Sequence, residues 1–164
     1  MSYVGCKELT DKQRSWVDNW MQLFGAWVHS GRLDVRQVNM IYKFMASVEP
    51  ISTKSRPMCS DDEGMLISQV VDTVIAIDKE AYSILLSYYV HRASKLSISK
   101  FLHKHAKPRL MQSKGGSKLR SPSLRSIRRE VSEKIEASLY LLHEPLRNAF
   151  NCYERASKIK KITK

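Results

Sequence analysis

Apolar residues recur at helical spacing along most of the chain. Over Thr10–His29 they return every three or four positions, and all three tryptophans of the sequence, Trp16, Trp20 and Trp27, lie in this stripe. A period close to 3.6 is typical of a helix that buries one face. The spacing therefore predicts a helix over Thr10–His29. Gly31 follows directly, as glycine often does where a helix stops.

The same period continues downstream. It predicts a short helix over Asp34–Met45 and, after a loop over Glu49–Ser60 that contains two prolines, a longer helix over Asp61–Ile77. Ser60 and Glu63 form the capping-box pattern at the start of that longer helix. Its second half is rich in β-branched residues, which are also compatible with a strand, but the period and the cap favour the helix.

Two further helices and a loop are predicted in the middle of the chain. Asp78 is expected to cap a helix that carries a tyrosine pair, and Ser97 to cap a short helix that Pro108 ends. Segment 107–121 follows, with five basic residues and two adjacent glycines. Its composition is the most loop-like of the sequence and predicts a long basic linker.

A long helix is predicted near the C-terminus. It begins at Ser121 or Ser123, with Pro122 tolerated in its first turn. Pro145 ends or kinks this helix, and a last helix runs from there into a lysine-rich tail. The predicted core stripe consists of Leu124, Ile127, Val131, Ile135, Leu139 and Leu142. We therefore expect an all-α fold.

The charge is divided unevenly along the chain. Residues 1–92 carry 10 Lys+Arg and 11 Asp+Glu, whereas residues 93–164 carry 18 and 5, so the whole net charge of +12 lies in the second part. Cations concentrated in this way are typical of a surface that meets the phosphates of nucleic acid. A solvated basic face without a partner is the plainer alternative. A membrane is disfavoured, because basic membrane helices also carry tryptophan and every tryptophan lies in the neutral part.

The start of the long helix is the strongest candidate for DNA recognition. On a helical wheel Arg125, Ser126 and Arg129 lie on the solvent side and Arg128 flanks the core. Glutamates follow them, which suits a helix that enters the major groove by its first turns. A helix-turn-helix is therefore predicted, with an ordinary amphipathic surface helix as the alternative. The candidate DNA-binding residues are Lys100, Lys104, Lys114, Lys118, Arg120, Ser123, Arg125, Ser126, Arg128 and Arg129.

Other patterns offer little support for an enzyme or a metal site. His103 and His105 would diverge by about 200° on a helix and could not easily share one ion. The run Asp61–Glu63 could serve a nuclease, but capping and the helix dipole explain the same carboxylates. We predict no catalytic residue, no metal, no cofactor and no small-molecule substrate.

Cysteine usage and apolar runs indicate the compartment. The three cysteines, Cys6, Cys59 and Cys152, are odd in number and widely spaced, so a disulfide framework is not expected. The N-terminus lacks the apolar segment of a signal peptide, and no apolar run is long enough to span a membrane. The sequence therefore predicts a cytoplasmic protein.

Four segments together resemble the lambdoid phage antitermination protein Q family, of the phage 21 type. FGAW at 24–27 resembles the WGAW signature of that family, and RPMCSDDEG at 56–64 resembles its RP-x-C-x-DD-x-G stretch. LLSYYV at 85–90 and SLRSIRREV at 123–131 are similar to the segments that enter its helix-turn-helix and start its recognition helix. Their order and approximate spacing agree over most of the chain.

This resemblance implies a fold and a function. The family binds a DNA element near the phage late promoter, engages host RNA polymerase with its sigma factor, and makes it read through pauses and terminators. The implied helix-turn-helix is similar to sigma-factor region 4. The matching recognition positions are Ser123, Arg125, Ser126, Arg128 and Arg129. The sequence departs from the family at 107–121, where the family has a tight turn.

The resemblance and the charge division together predict three parts. Residues 1–92 form a near-neutral helical body that meets polymerase, residues 93–144 form the basic helix-turn-helix part, and residues 145–164 form a C-terminal helix and tail. The candidate polymerase contacts are Trp20, Trp27, Arg56, Asp61 and Asp62. Two alternatives stay open: a helix-turn-helix repressor or activator that leaves polymerase unmodified, and a nuclease that uses the carboxylates of 61–63.

Overall fold

The structure, a computed structural model, describes residues 8–30 and 56–162, with side chains described as far as residue 159. This part is mostly helical, as the sequence predicts, and contains one small antiparallel sheet. The predictions for Gly31, for the helix over Asp34–Met45 and for most of the loop over Glu49–Ser60 lie outside the described residues. The elements are α1 (Asp11–His29), α2 (Asp61–Val74), α3 (Lys79–Tyr89), α4 (Lys95–His105), β1 (Arg109–Ser113), β2 (Gly116–Arg120) and α5 (Leu124–Ile162).

Polar side chains begin each of the first three helices. Thr10 closes a capping box at the start of α1, and Ser60 with Glu63 closes the predicted one at the start of α2. Asp78 caps α3, also as predicted, because its carboxylate accepts hydrogen bonds from two backbone N–H groups of the first turn. Such caps satisfy amide groups that have no partner within the helix.

Two predicted helix limits were wrong. The N-cap of α4 is Ser94, whose hydroxyl accepts from the Ser97 amide at 3.1 Å, so Ser97 already lies in the first turn. The helix α2 ends at Val74 rather than Ile77, because the chain turns there and the Asp78 amide donates to the Ile75 carbonyl. Both errors concern helix ends, whose exact residue the apolar spacing does not determine.

The core lies where α5 packs against the four other helices of the described part. The predicted stripe of α5 is buried from Ile127 through Leu142 and continues through Leu146 to Phe150. From the other helices, Met21, Trp27 and Tyr89 are the largest side chains that are wholly buried against it. The long helix therefore organises the fold, and its first turns are held in place by the body behind them.

Pro145 does not end the long helix. The helix α5 runs through Pro145 without interruption and is 39 residues long in all, so no separate C-terminal helix begins at 145. Proline removes one backbone hydrogen bond inside a helix. Leu142 and Leu146, both fully buried on either side of it, hold this stretch against the core. Tertiary packing therefore outweighs the local preference of proline to interrupt the helix.

Segment 107–121 is not the loop that its composition predicts. It forms an antiparallel β-hairpin in which Arg109 pairs with Arg120 and Ser113 pairs with Gly116. Gly116 has a φ of 102°, which glycine adopts without the steric penalty of a side chain. The two glycines therefore mark a hairpin turn, and the long linker of the helix-turn-helix is itself an ordered element.

Among the described helices, none combines the length and the apolar character that a membrane span requires.

Candidate nucleic-acid interface

Ser123 fixes the start of α5. Its hydroxyl accepts a hydrogen bond from the Ser126 amide at 3.2 Å, and the two serine hydroxyls lie 3.0 Å apart. Pro122, just before this cap, is buried rather than part of the first turn. Of the two predicted starts, Ser123 is therefore the one observed. The remaining amides of the first turn point out of the helix end, where they favour an anion such as phosphate.

Three arginines cover the solvent side of the first two turns. Arg125, Arg128 and Arg129 are all exposed, while Ile127 and Val131 on the opposite side are buried. Arg128, predicted to flank the core, thus reaches solvent as well. Guanidinium groups presented from the start of a helix have the geometry for bidentate contacts to guanine edges in the major groove.

Arg129 has an ion-pair partner on its own helix. Its Nε lies 3.2 Å from a Glu133 carboxylate oxygen, and both side chains are mostly exposed. A surface pair of this kind contributes at most about 1 kcal/mol. Glu133 therefore orients the Arg129 guanidinium, and this weak ion pair is easily broken when Arg129 binds DNA.

The helix α4 precedes the hairpin and packs against α5. Ile98 is buried in this contact, and Phe101 and Leu102 pack around the core. Lys100 and Lys104 are exposed. This agrees with the predicted arrangement, in which the apolar face of the first helix supports the second and its lysines stay in solvent.

The hairpin adds cations beside the start of α5. Lys114, Lys118 and Arg120 are exposed. On the first strand Arg109 forms an ion pair with Glu130 of α5, which ties the hairpin to the helix. The candidate DNA-binding residues thus lie on α4, on the hairpin and on the first turns of α5. The helix α4 packs against α5, and the ion pair of Arg109 with Glu130 joins the hairpin to α5.

Several candidate polymerase contacts instead build the fold. Trp27, one of these candidates, is 1% exposed, so its side chain lies in the core and not at the surface. Its indole N–H donates to the Asp61 carboxylate at 2.9 Å. Gly64 lies against the Trp27 ring so closely that a methyl group there would overlap the ring atoms. The FGAW and RPMCSDDEG segments therefore meet at one indole ring.

Arg56 performs a similar role for the next motif. Its guanidinium donates to the carbonyl oxygens of Tyr89 and Val90, at 3.1 and 2.6 Å, and so caps the C-terminal end of α3. Burial, and then the nearby charge of Arg92, lower the pKa of Arg56. Gly25 packs against the Tyr89 carbonyl with no room for a Cβ atom. LLSYYV thus joins the same cluster, which the sequence reasoning missed because no spacing in the chain signals it.

Three of the candidate polymerase contacts remain at the surface: Trp20, Asp62 and also Asp61, whose carboxylate accepts from the buried Trp27 indole but is itself exposed. Trp20 is half-buried and stacks on Phe150 at 4.3 Å between ring centroids. Asp62 is exposed and accepts a hydrogen bond from the Tyr153 hydroxyl at 3.3 Å. The charge of Asp62 raises the pKa of Tyr153. Trp20 and Asp62 lie on the near-neutral body and contact the second half of α5, away from the arginines of its first two turns.

The groups considered for other chemistry have local roles. Glu63 is engaged in the capping box with Ser60. Cys59 is buried, and burial raises its pKa to about 11, so the thiol is a poor nucleophile at neutral pH. The His105 ring bonds to the Phe101 carbonyl at 2.9 Å. In the described ranges no three metal-binding side chains come together.

These features define a helical protein of the helix-turn-helix class, with a basic face built from the first turns of α5 and an inserted β-hairpin. The comparison with protein families gives the particular group. The chain belongs to the phage antitermination protein Q family, whose sequence profile matches residues 14–118.

Named relatives agree with this assignment. The antitermination protein Q of Escherichia phage 933W is 28% identical in an alignment over 95 residues, and the match covers 51% of this chain and 65% of that protein. The match thus spans slightly less than two thirds of that relative.

Solved structures match over more of the chain. The chain is similar to transcription antitermination factor Q21 in complex with Q21-binding-element DNA, with a TM-score of 0.80 and 50% identity over 91% of this chain and 99% of that one. It is also similar to the crystal structure of the bacteriophage 21 Q protein, with a TM-score of 0.79 and 48% identity over 91% of this chain and 99% of that one.

Proposed function

We propose that this chain is a phage transcription antitermination factor. It binds a DNA element at the late promoter, joins host RNA polymerase with its sigma factor in the bacterial cytoplasm, and makes the enzyme read through pauses and terminators. The observation that carries this proposal is the exposed arginine cluster on the first two turns of α5. It occurs in a chain that is 50% identical to a factor solved with its DNA element.

The DNA contacts divide by chemistry. Arg125 and Arg129 enter the major groove and bind guanine edges, while Arg128 reaches a phosphate beside them. The hydroxyls of Ser123 and Ser126, together with the amides of the first turn, also bind phosphate. The glutamates that follow lie on later turns, which point away from the duplex when a helix enters by its N-terminus.

The remaining cations fix the position of the protein on the duplex. Lys100 and Lys104 lie on α4, and Lys114, Lys118 and Arg120 lie on the hairpin. All five side chains are exposed. Contacts from such residues to the phosphate backbone supply affinity and register without reading sequence.

The near-neutral body is the part proposed to meet polymerase, with Trp20, Asp61 and Asp62 as its surface contacts. The buried Trp27 supports that surface through its hydrogen bond to Asp61, and the half-buried Arg56 does so through its hydrogen bond to the Tyr89 carbonyl. In this proposal the protein acts by binding alone, without a cofactor and without a catalytic step.

A terminator read-through assay tests the function. Purified host RNA polymerase holoenzyme transcribes a template with the native late promoter and a strong terminator, with and without the protein. We expect read-through that vanishes when the promoter-proximal DNA is scrambled. It should fall sharply for Arg125→Ala and persist for Arg147→Ala, an exposed arginine in the C-terminal half of the same helix.

The converse result would identify a different function. If the protein binds its DNA element tightly but never increases read-through, it is a repressor or activator of the helix-turn-helix class. The similarity to antitermination factors would then extend to fold and DNA binding only.

A further inference from the structure

The two faces of the hairpin differ in character. Paired residues of an antiparallel ribbon share a face, and successive pairs alternate between faces. One face carries the Arg109–Arg120 and Met111–Lys118 pairs and contacts α5 through the ion pair of Arg109 with Glu130. The opposite face carries Leu110, Gln112, Ser117 and Leu119. That second face, the free face, has no charge, and all four of its side chains are exposed.

The free face exposes a pair of large aliphatic side chains. Leu110 and Leu119 lie directly opposite each other and are 73% and 68% exposed. A two-stranded ribbon is only marginally stable alone in water. Burial of the two leucines under a partner would stabilise the ribbon, because it removes apolar surface from water. The arrangement indicates a face that a partner covers.

The free face itself is uncharged, so the charge of the segment around it selects the partner. Segment 107–121 contains five basic residues and no carboxylate, so a second copy of this hairpin would meet five like charges. A polyanion is favoured instead. β2 ends at Arg120 and α5 begins at Leu124, so the ribbon is adjacent to the proposed recognition helix. Duplex DNA is therefore the occupant that fits both the charge and the position.

We propose that the free face of the hairpin reads A·T pairs in the major groove beside the recognition helix. The major groove admits a two-stranded ribbon, and there an A·T pair presents a thymine methyl group together with adenine N6 and N7. Leu110 and Leu119 pack on thymine methyl groups, and the Gln112 amide forms paired hydrogen bonds with adenine. This inference rests on the proposed DNA-binding function and adds a second reading element to it.

The test uses thymine and deoxyuridine, which differ by the methyl group alone. A duplex is first selected with the full chain from a library of about 30 randomised base pairs. Its affinity is then measured with deoxyuridine replacing each thymine in turn. At thymines beside the base pairs that Arg125 and Arg129 contact, we expect each replacement to weaken binding about three- to fivefold, the value of one buried methyl group.

Protein variants separate the leucines from the rest of the interface. The double variant Leu110→Ala with Leu119→Ala should bind the selected duplex more weakly and become insensitive to deoxyuridine. Leu141→Ala, which truncates a leucine that is 52% exposed on α5, should behave like the unchanged protein.

The inference is overturned if deoxyuridine has no effect, or if it weakens the unchanged protein and the double variant equally. A double variant that keeps full DNA affinity but loses read-through also overturns it, and would identify the free face as a protein-docking surface. Selection of no preferred sequence at all is a different result, because it would refute the proposed DNA-binding function itself.

Discussion

At Gly64 the structure leaves no room for one additional methyl group. A Cβ atom there would overlap the indole of Trp27, which is itself wholly buried. The ring cannot retreat without breaking its hydrogen bond to Asp61. We therefore expect Gly64→Ala to lower the free energy of unfolding by about 1–3 kcal/mol, the range for overpacking a core. Equilibrium unfolding in urea measures this loss.

A second glycine provides the control. A Cβ atom at Gly115, in the hairpin turn, would meet nothing within 4 Å. Gly115→Ala should therefore change the free energy of unfolding by less than about 0.5 kcal/mol. Equal losses from the two substitutions would mean that the contact between residue 64 and the indole is unimportant for stability.

His91 should make stability depend on pH. Burial, and then the charges of His29 and Arg56, lower its pKa from 6.5 to about 4. Between these values the unfolded chain binds a proton that the folded chain does not, so stability falls as pH drops through this window. We expect the urea midpoint to decline between pH 6.5 and 4, and to decline less in His91→Gln. An identical decline in both proteins would assign the acid sensitivity to other groups.

At the scale of elements, the first two turns of α5 make the most specific prediction. Arg125→Ala and Arg129→Ala should each weaken binding to the DNA element by about 1–3 kcal/mol, because a bidentate contact to one base is lost. Binding to random duplex should change little. Arg147→Ala should have neither effect, since Arg147 pairs with Glu144 about six turns further along α5. Equal losses on both DNAs would make these arginines phosphate contacts.

Elements with a buried apolar face could be predicted from the sequence, and those without one could not. The stripe of α5 from Ile127 to Leu142 is visible because packing requires the period of a helix. In the hairpin, all side chains but the half-buried Met111 are exposed, so no alternation of apolar and polar residues reveals the strands. At Pro145 the local pattern predicts a helix end or kink, but the packing of its buried neighbours Leu142 and Leu146 outweighs the tendency of proline to end a helix.

At the scale of the whole molecule, the role of the family motifs could not be predicted. Trp27 and Asp61 lie 34 residues apart, and Arg56 reaches the Tyr89 carbonyl across 33 residues. Composition marks such residues as unusual but does not say which others they meet. The sequence therefore predicts Trp27 and Arg56 as polymerase contacts, whereas the fold uses them to join α1, α2 and α3.

The division of charge leads to a prediction about the complete interface. Every excess cation lies in residues 93–164. The logarithm of the DNA-binding constant falls linearly with the logarithm of the salt concentration, and each phosphate that a cation neutralises steepens this slope by about 0.9. Lys118→Ala should therefore reduce this slope by about one and weaken specific and random DNA alike. Lys79→Ala, on an exposed lysine of the near-neutral body, should leave it unchanged. If Lys118→Ala weakened binding to the specific element only, Lys118 would contact a base edge. Salt titrations of both variants therefore distinguish a phosphate contact from a base contact.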